Sequence, residues 1–179
     1  MLQNSFFASV NDYSIAGGWG LKGKLFAFGD ASGSVHAFEG TSGKEIWATA
    51  GAHEGGVMNL AVSPNGAQLA TVGQDRQIAL WNIADGLLQH RMVVGDNWVE
   101  HVAWSKSGNQ LAVSSGRIVT ILSSSGEKIW SSENHPSTVS ALGWVTDQEL
   151  STACHGRFTF FDIVSAQESE RLEWRGSLV

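Results

Sequence analysis

Cysteine and proline are both scarce: one cysteine, Cys154, and two prolines stand among 179 residues. A single cysteine excludes an intrachain disulfide framework and fits a reducing compartment. Basic residues are also few, 11 Lys and Arg against 17 Asp and Glu, leaving a net charge of −6. That balance argues against a nucleic-acid partner, which calls for a basic face. No apolar run reaches membrane-spanning length. The opening MLQNSFFASVNDY has no Lys or Arg before its short apolar patch and then turns polar. It therefore lacks the pattern of a secretory signal, and a cytoplasmic setting is expected. Helical periodicity is missing as well. What the chain does have is glycine, 21 in all, within clusters of Gly, Asn, Asp and Ser that separate short apolar runs. This is the rhythm of strands and tight turns.

Residues 52–82 read AHEGGVMNLAVSPNGAQLATVGQDRQIALWN. They offer a loop histidine (His53), an apolar strand, the turn Ser63-Pro64-Asn65-Gly66, a second strand, Asp75, and a third strand closing on Trp81. These features recur. Trp81 has counterparts at Phe38, Leu122 and Phe161; Val57 has counterparts at Val99, Val139 and Val179; Trp19, Val62, Trp104 and Trp144 form another set. Three registers in step, at intervals of about 40 residues, define a structural repeat. Four units follow, at residues 13–52, 53–96, 97–136 and 137–176. Residues 1–12 are expected to be an outer strand of a neighbouring unit or an N-terminal extension, and 177–179 to begin a fifth unit. The first strand of each unit is nearly all apolar, as in Leu60-Ala61-Val62, which suits an innermost strand buried on both faces. The third strand of the second unit, Ile78-Ala79-Leu80-Trp81, alternates instead, so residues facing opposite sides see different surroundings.

This pattern resembles the WD-repeat family along essentially the whole chain. The resemblance implies an all-β fold: a β-propeller segment of about four four-stranded antiparallel blades, forming an incomplete, open ring. It also implies that His53, Thr71, Asp75 and Trp81 form a hydrogen-bonded structural tetrad. The chemistry is sensible, because a part-buried carboxylate needs donors that imidazole, hydroxyl and indole supply. No nucleophile accompanies His53 and Asp75, so an acid–base pair is rejected. Other units depart from the pattern. The third has Gly95, Gly116 and Leu122 at the loop, turn and Trp positions; the first has Ser32 and Phe38 at the last two. In the fourth, His135 and Ser151 match, but His155 and Phe161 replace the turn Asp and the Trp. Only the second unit has the full set, so the others are expected to rely on packing. A rival resemblance exists. GKEIW (43–47) and GEKIW (126–130) are similar to the Gly-x-x-x-Trp ending of pyrroloquinoline-quinone-type propellers, which include quinoprotein enzymes and an outer-membrane assembly scaffold. These motifs occur in two units only, and export would require a signal.

Among candidate sites, Trp19, Trp104, Trp144, Trp47, Trp130 and Trp81 fall in repeat registers and read as packing residues. Trp174 has no repeat partner. Trp98, in the loop Gly95-Asp96-Asn97-Trp98, reads as a binding aromatic or a local packing residue. Cys154, His135 and His155 lack the spacing of a zinc site. The glycines around Trp19 lack the Lys-Ser/Thr of a phosphate loop. Arg76 and Arg117 share one offset in the turns between second and third strands, with Arg157 one position later. Together with Asp96, Asn97, Trp98, His135 and His155 they form the candidate partner-binding face. An enzyme would need carboxylates or ligands on the central strands, which offer only Glu100 and His101. The expected function is a noncatalytic scaffold for a protein or peptide partner, without cofactor, metal, nucleic acid or membrane. Four units fall short of a ring of about seven. The chain is accordingly expected to be a fragment, a truncated reading frame or half of a composite ring, self-associating or completed by a second chain.

Overall fold

The structure, a computed structural model, describes residues 8–10 and 12–175. Blade 1 consists of β1 (Ser14–Gly20), β2 (Leu25–Asp30), β3 (Val35–Glu39) and β4 (Glu45–Thr49). Blade 2 has β5 (Val57–Val62), β6 (Gln68–Gly73), β7 (Gln77–Asn82) and β8 (Leu88–Val93). Blade 3 has β9 (Val99–Trp104), β10 (Gln110–Ser115), β11 (Ile118–Ser123) and β12 (Lys128–Ser131). Blade 4 has β13 (Val139–Trp144), β14 (Glu149–Cys154), β15 (Arg157–Asp162) and β16 (Gln167–Glu173). Each blade is a four-stranded antiparallel meander in chain order. The outer strand expected in 1–12 and the unit begun at 177–179, including Val179, fall largely or wholly outside the described residues; residues 8–10 carry no strand.

Local chemistry explains the hairpins. In the turn after β5, the Ser63 hydroxyl donates to Asn65 Oδ1 and accepts from Gln68 N–H, while Gly66 turns the chain at φ 74°. The meanders also bulge at matching places. Third and fourth strands slip register just before Phe38, Trp81, Leu122 and Phe161. First and second strands slip again at the start of each blade, at Ser14/Ala16, Val57/Asn59, Ser114/Ser115 and Val139/Ala141. A bulge bends and twists its strand. The same two bends recur in every blade, so the sheets come out alike despite dissimilar residues.

The core lies between blades, not within them. Leu69, Ala79 and Trp81 of blade 2 pack on Leu25, Ala27, Val35 and Ala37 of blade 1. Ala70, Val72, Ile78 and Leu80, on the other side of the same sheet, pack on Val102, Leu111, Val113 and Leu122 of blade 3. A third cluster joins Ala112, Val119 and Ile121 to Leu150, Phe161 and Ile163. Burial on both faces falls on the second and third strands, β6, β7, β10 and β11, which are apolar for that reason. The first strands, expected to be the doubly buried ones, are only partly buried, because one neighbouring sheet covers them less completely. Among the described residues no cluster joins blade 4 back to blade 1.

Indoles stitch the junctions. Trp104 donates its N–H to Ala61 O (3.0 Å), and Trp144 donates to Ala103 O (3.1 Å), each spanning neighbouring inner strands. Trp47 donates to Ile83 O (2.9 Å), and Trp130 packs on Phe161. The Gly-x-x-x-Trp segments thus supply outer-strand residues that cover the next blade. Trp19 departs from its expected packing role: it is 54% exposed, because among the described residues no blade precedes blade 1. Trp104→Phe keeps an aromatic side chain of smaller size and leaves the Ala61 carbonyl without its indole donor. A loss of about 1 kcal/mol in urea unfolding is expected, and an unchanged midpoint would remove the bond from the account of the junction.

Candidate functional site

Blade 2 contains one continuous polar network. Trp81 Nε1–H donates to Thr71 Oγ1 (2.9 Å), and His53 Nε2 lies 2.8 Å from the same hydroxyl. His53 Nδ1 lies 2.9 Å from Asp75 Oδ1. Asp75 also accepts from Gln77 N–H (3.1 Å) and Glu54 N–H (3.3 Å). One assignment of protons satisfies the whole chain. The indole donates to the hydroxyl, the hydroxyl donates to Nε2, and Nδ1–H donates to the carboxylate. His53 is then the neutral Nδ1–H tautomer, and burial lowers its pKa against the pull of Asp75. The network ties a loop, two strands and a turn together, and its buried groups bond to one another, not to a cavity. The Arg91 guanidinium, 5.9 Å from the Trp81 ring, adds a cation–π contact that no motif signalled. Gly33 closes the loop from the other side. Its φ is 86°, and a Cβ there would lie 2.2 Å from His53 O and Gly55 O.

The other blades solve the same problem differently. In blade 1 the turn carboxylate is Asp30, not a group at Ser32. Asp30 Oδ1 accepts from Ser32 N–H, Ser32 O–H and Ser34 N–H, and Oδ2 meets His36 Nε2 at 3.1 Å. Burial opposes ionisation of Asp30, but these bonds, led by the Ser32 hydroxyl, outweigh it and lower its pKa. Phe28 and Phe38 stack at 5.6 Å where blade 2 has Thr71 and Trp81. In blade 4 the strand hydroxyl bonded to His135 is Thr152 (3.0 Å); Ser151 donates instead to Gly143 O. The reason is turn length. Val72 pairs with Ile78, whereas Ala153 pairs with Phe158, one residue closer in sequence. Counting back a fixed interval from Phe161 therefore lands on Ser151. Blade 3 has apolar Val113 and Leu122 at these positions, both buried.

The candidate binding face divides into residues left free and residues already engaged. Val94 N–H donates to Arg76 O, and His135 N–H donates to Arg117 O, so turns and interblade loops share one end of the arc. Arg76, Asp96, Asn97 and His155 are exposed there, and Trp98 is 52% exposed. The Trp98 loop is pinned: Ser115 Oγ donates to Asn97 O (2.8 Å) and accepts from Asn97 N–H (3.3 Å). Three expected members serve the fold instead. His135 is buried, with Nδ1 3.0 Å from Arg117 O in place of a turn carboxylate. Arg117 Nε donates to His135 O, and Arg157 forms an ion pair with Glu173. Among the described residues Arg76 has no side-chain hydrogen bond or ion pair of this kind. Among the described residues no cluster of His, Cys, Asp and Glu could hold a metal ion, and Cys154 is buried. Among the described residues no helix is long and apolar enough to cross a membrane.

Comparison with known proteins agrees with this geometry. Residues 18–107 match the family model "Anaphase-promoting complex subunit 4 WD40 domain". WD repeat-containing protein 1-B of Xenopus laevis is 33% identical over 135 residues, covering 71% of this chain and 22% of that protein. Actin-interacting protein 1 of Drosophila melanogaster is 30% identical over 128 residues, covering 67% and 21%. The crystal structure of RRP9 WD40 repeats superposes with a TM-score of 0.84 at 17% identity, over 94% of this chain and 53% of that one. The fold is therefore that of a WD-repeat β-propeller, and the chain belongs to the WD-repeat family. It spans about a fifth of the length of these two relatives. Nothing in these matches supports a pyrroloquinoline-quinone-type propeller.

The network makes two measurable demands. Asp75→Ala strands three donors, and a loss of about 1–3 kcal/mol is expected in chemical denaturation. Acid is the second. Burial lowers the pKa of both His53 and His135. Below about pH 6.5 the unfolded chain binds protons that the folded chain refuses, so stability falls as pH drops. Urea midpoints should decline between pH 7 and pH 5, as the unfolding free energy falls by up to about 1.4 kcal/mol per pH unit for each histidine. Midpoints that stay level over that window would contradict the buried neutral state.

Proposed function

We propose that the chain acts as a noncatalytic WD-repeat scaffold in a cytoplasmic setting. Its surface for a protein or peptide partner is the loop-and-turn end of the blade 2–blade 3 junction. The observation that carries this reading is Trp98, a large aromatic held half-exposed on a loop fixed by Ser115. A pinned aromatic loses little entropy on binding and suits an interface anchor. Arg76, Asp96 and Asn97 around it provide charge and hydrogen-bonding capacity for a rim. Scaffolding is further supported by the buried polar groups of blade 2, which bond to one another and to the backbone and hold a rigid platform. Relatives whose names describe interaction, such as Actin-interacting protein 1, make the same reading natural for this fold.

The test is affinity capture on the intact protein, with captured species identified by mass spectrometry and compared between variants. Trp98→Ala and Arg76→Glu are expected to reduce recovery of a shared partner about tenfold or more, as loss of an anchor does. Far-UV dichroism should stay native. Equal recovery by wild type and the double variant would move the binding surface elsewhere.

A further inference from the structure

The turn that joins the second strand of a blade to the third accepts a hydrogen bond from the segment that follows the blade's outer strand. His53 N–H donates to Gly33 O, Val94 N–H to Arg76 O and Trp174 N–H to Gly156 O. Gly33, Arg76 and Gly156 therefore occupy equivalent positions, and all three are left-handed, with φ of 86°, 68° and 75°. Blade 3 places Gly116 (φ 59°) just ahead of its own acceptor, Arg117. Glycine adopts this conformation freely, whereas a residue with a Cβ crowds its own backbone there. Three turns thus use glycine for the left-handed step, and blade 2 alone uses a residue with a side chain, Arg76. What holds it there is the blade 2 network. Asp75, the residue before it, meets His53 Nδ1 and accepts from Glu54 N–H and Gln77 N–H, which clamps the turn on both sides of Arg76. Arg76 is exposed, and among the described residues it forms no ion pair, although Glu54 and Asp96 stand in the two loops that border the turn. A costly backbone conformation is kept for a side chain that does nothing for the fold. Strain held in place by its surroundings in this way marks functional positions.

We infer that Arg76 is the anion-binding subsite of the partner surface. It receives one carboxylate, the side chain of an Asp or Glu in a peptide segment whose neighbouring apolar residue rests on Trp98. That assignment depends on the loop-and-turn end being the partner surface proposed above. A guanidinium carried on a clamped turn is partly ordered before binding, and its fork matches a carboxylate with two parallel hydrogen bonds. Trp98 supplies the apolar half from a loop fixed by Ser115. The stem of that loop is joined to the turn by the bond from Val94 N–H to Arg76 O, so both anchors sit on one rigid frame. Surrounding charge narrows the partner further. Glu54 and Asp96 border Arg76, and the chain as a whole carries a net charge of −6. A run of acidic residues or a nucleic-acid backbone would meet more repulsion than attraction here. A single carboxylate beside an apolar residue fits, and a polyanion does not.

A bead-displayed library of short random peptides, selected on the full chain, provides the test. Selected peptides are expected to carry an Asp or Glu next to a Trp, Phe or Leu. Changing that acid to Lys should weaken binding about tenfold or more. Arg76→Glu is expected to reverse the order, so that the Lys peptide binds better than its acidic parent; far-UV dichroism checks that the variant folds. A role in the fold alone would not produce that exchange. Arg76→Gly should weaken the acidic peptide about tenfold, while its urea midpoint stays level or rises because glycine relieves the left-handed turn. A selection without acidic enrichment would overturn the subsite. So would an Arg76→Glu variant that keeps the wild-type preference, or a clear fall in the Arg76→Gly midpoint. Trp98→Ala reads the surface separately. Loss of binding there with none in Arg76→Gly keeps the surface and removes the carboxylate subsite, and no loss in either variant removes both.

Discussion

The sheets of blades 2 and 3 have two apolar faces, and both are buried against a neighbouring blade. That burial governs the rest. Leu69, Ala79 and Trp81 face one way and Ala70, Val72, Ile78 and Leu80 the other, so blade 2 is buried only when blades 1 and 3 flank it. A blade alone would expose two hydrophobic surfaces at a cost near 25 cal/mol per Å² of apolar area. The indole-to-carbonyl bonds at Ala61 and Ala103 add direction to an otherwise directionless force. They fix how far one inner strand slides past the next.

Polar chemistry is spent unevenly on this frame. Blade 2 uses a four-residue network, blade 4 a shortened one through His135 and Thr152, and blade 1 an Asp30-centred turn over stacked rings. Blade 3 uses none of these and fills the same positions with Val113 and Leu122. All four sheets nevertheless keep the same bulges. Main-chain geometry and interblade packing therefore set the blade, and the hydrogen-bonded network stiffens a shape that exists without it. A satisfied network also limits alternatives, since each buried group lost would leave another unpaired.

The fold was legible because it depends on periodic features that single residues report. Strand-and-turn rhythm and the Trp81 register are repeated, and the bulges before Phe38, Trp81, Leu122 and Phe161 keep that register across unlike side chains. Details that depend on turn length were not legible. One residue fewer between β14 and β15 moves the strand hydroxyl from Ser151 to Thr152, and sequence offsets carry no sign of it. Asp30 carries no signal in the repeat spacing because it lies two residues before the turn site that the spacing marks at Ser32. Rim residues posed a different difficulty. Whether Arg117 and Arg157 are free depends on partners 18 and 16 residues away, His135 and Glu173, which no local pattern brings together.

Nearest-neighbour burial also shapes how the chain comes apart. Stability in such an array is a sum of unit terms and junction terms, with no long-range tie among the described sheets. Among the described residues blade 2 has two junctions and the fullest network; blade 4 has one junction, and its outer strand, Gln167–Glu173, is exposed along its whole length. Opening therefore costs least at that edge and most in the middle. Amide hydrogens of β16 would exchange through local fraying, while those of β6 and β7 would wait for opening of the whole arc. The molecule is a graded spring with its stiffest coil second from one end.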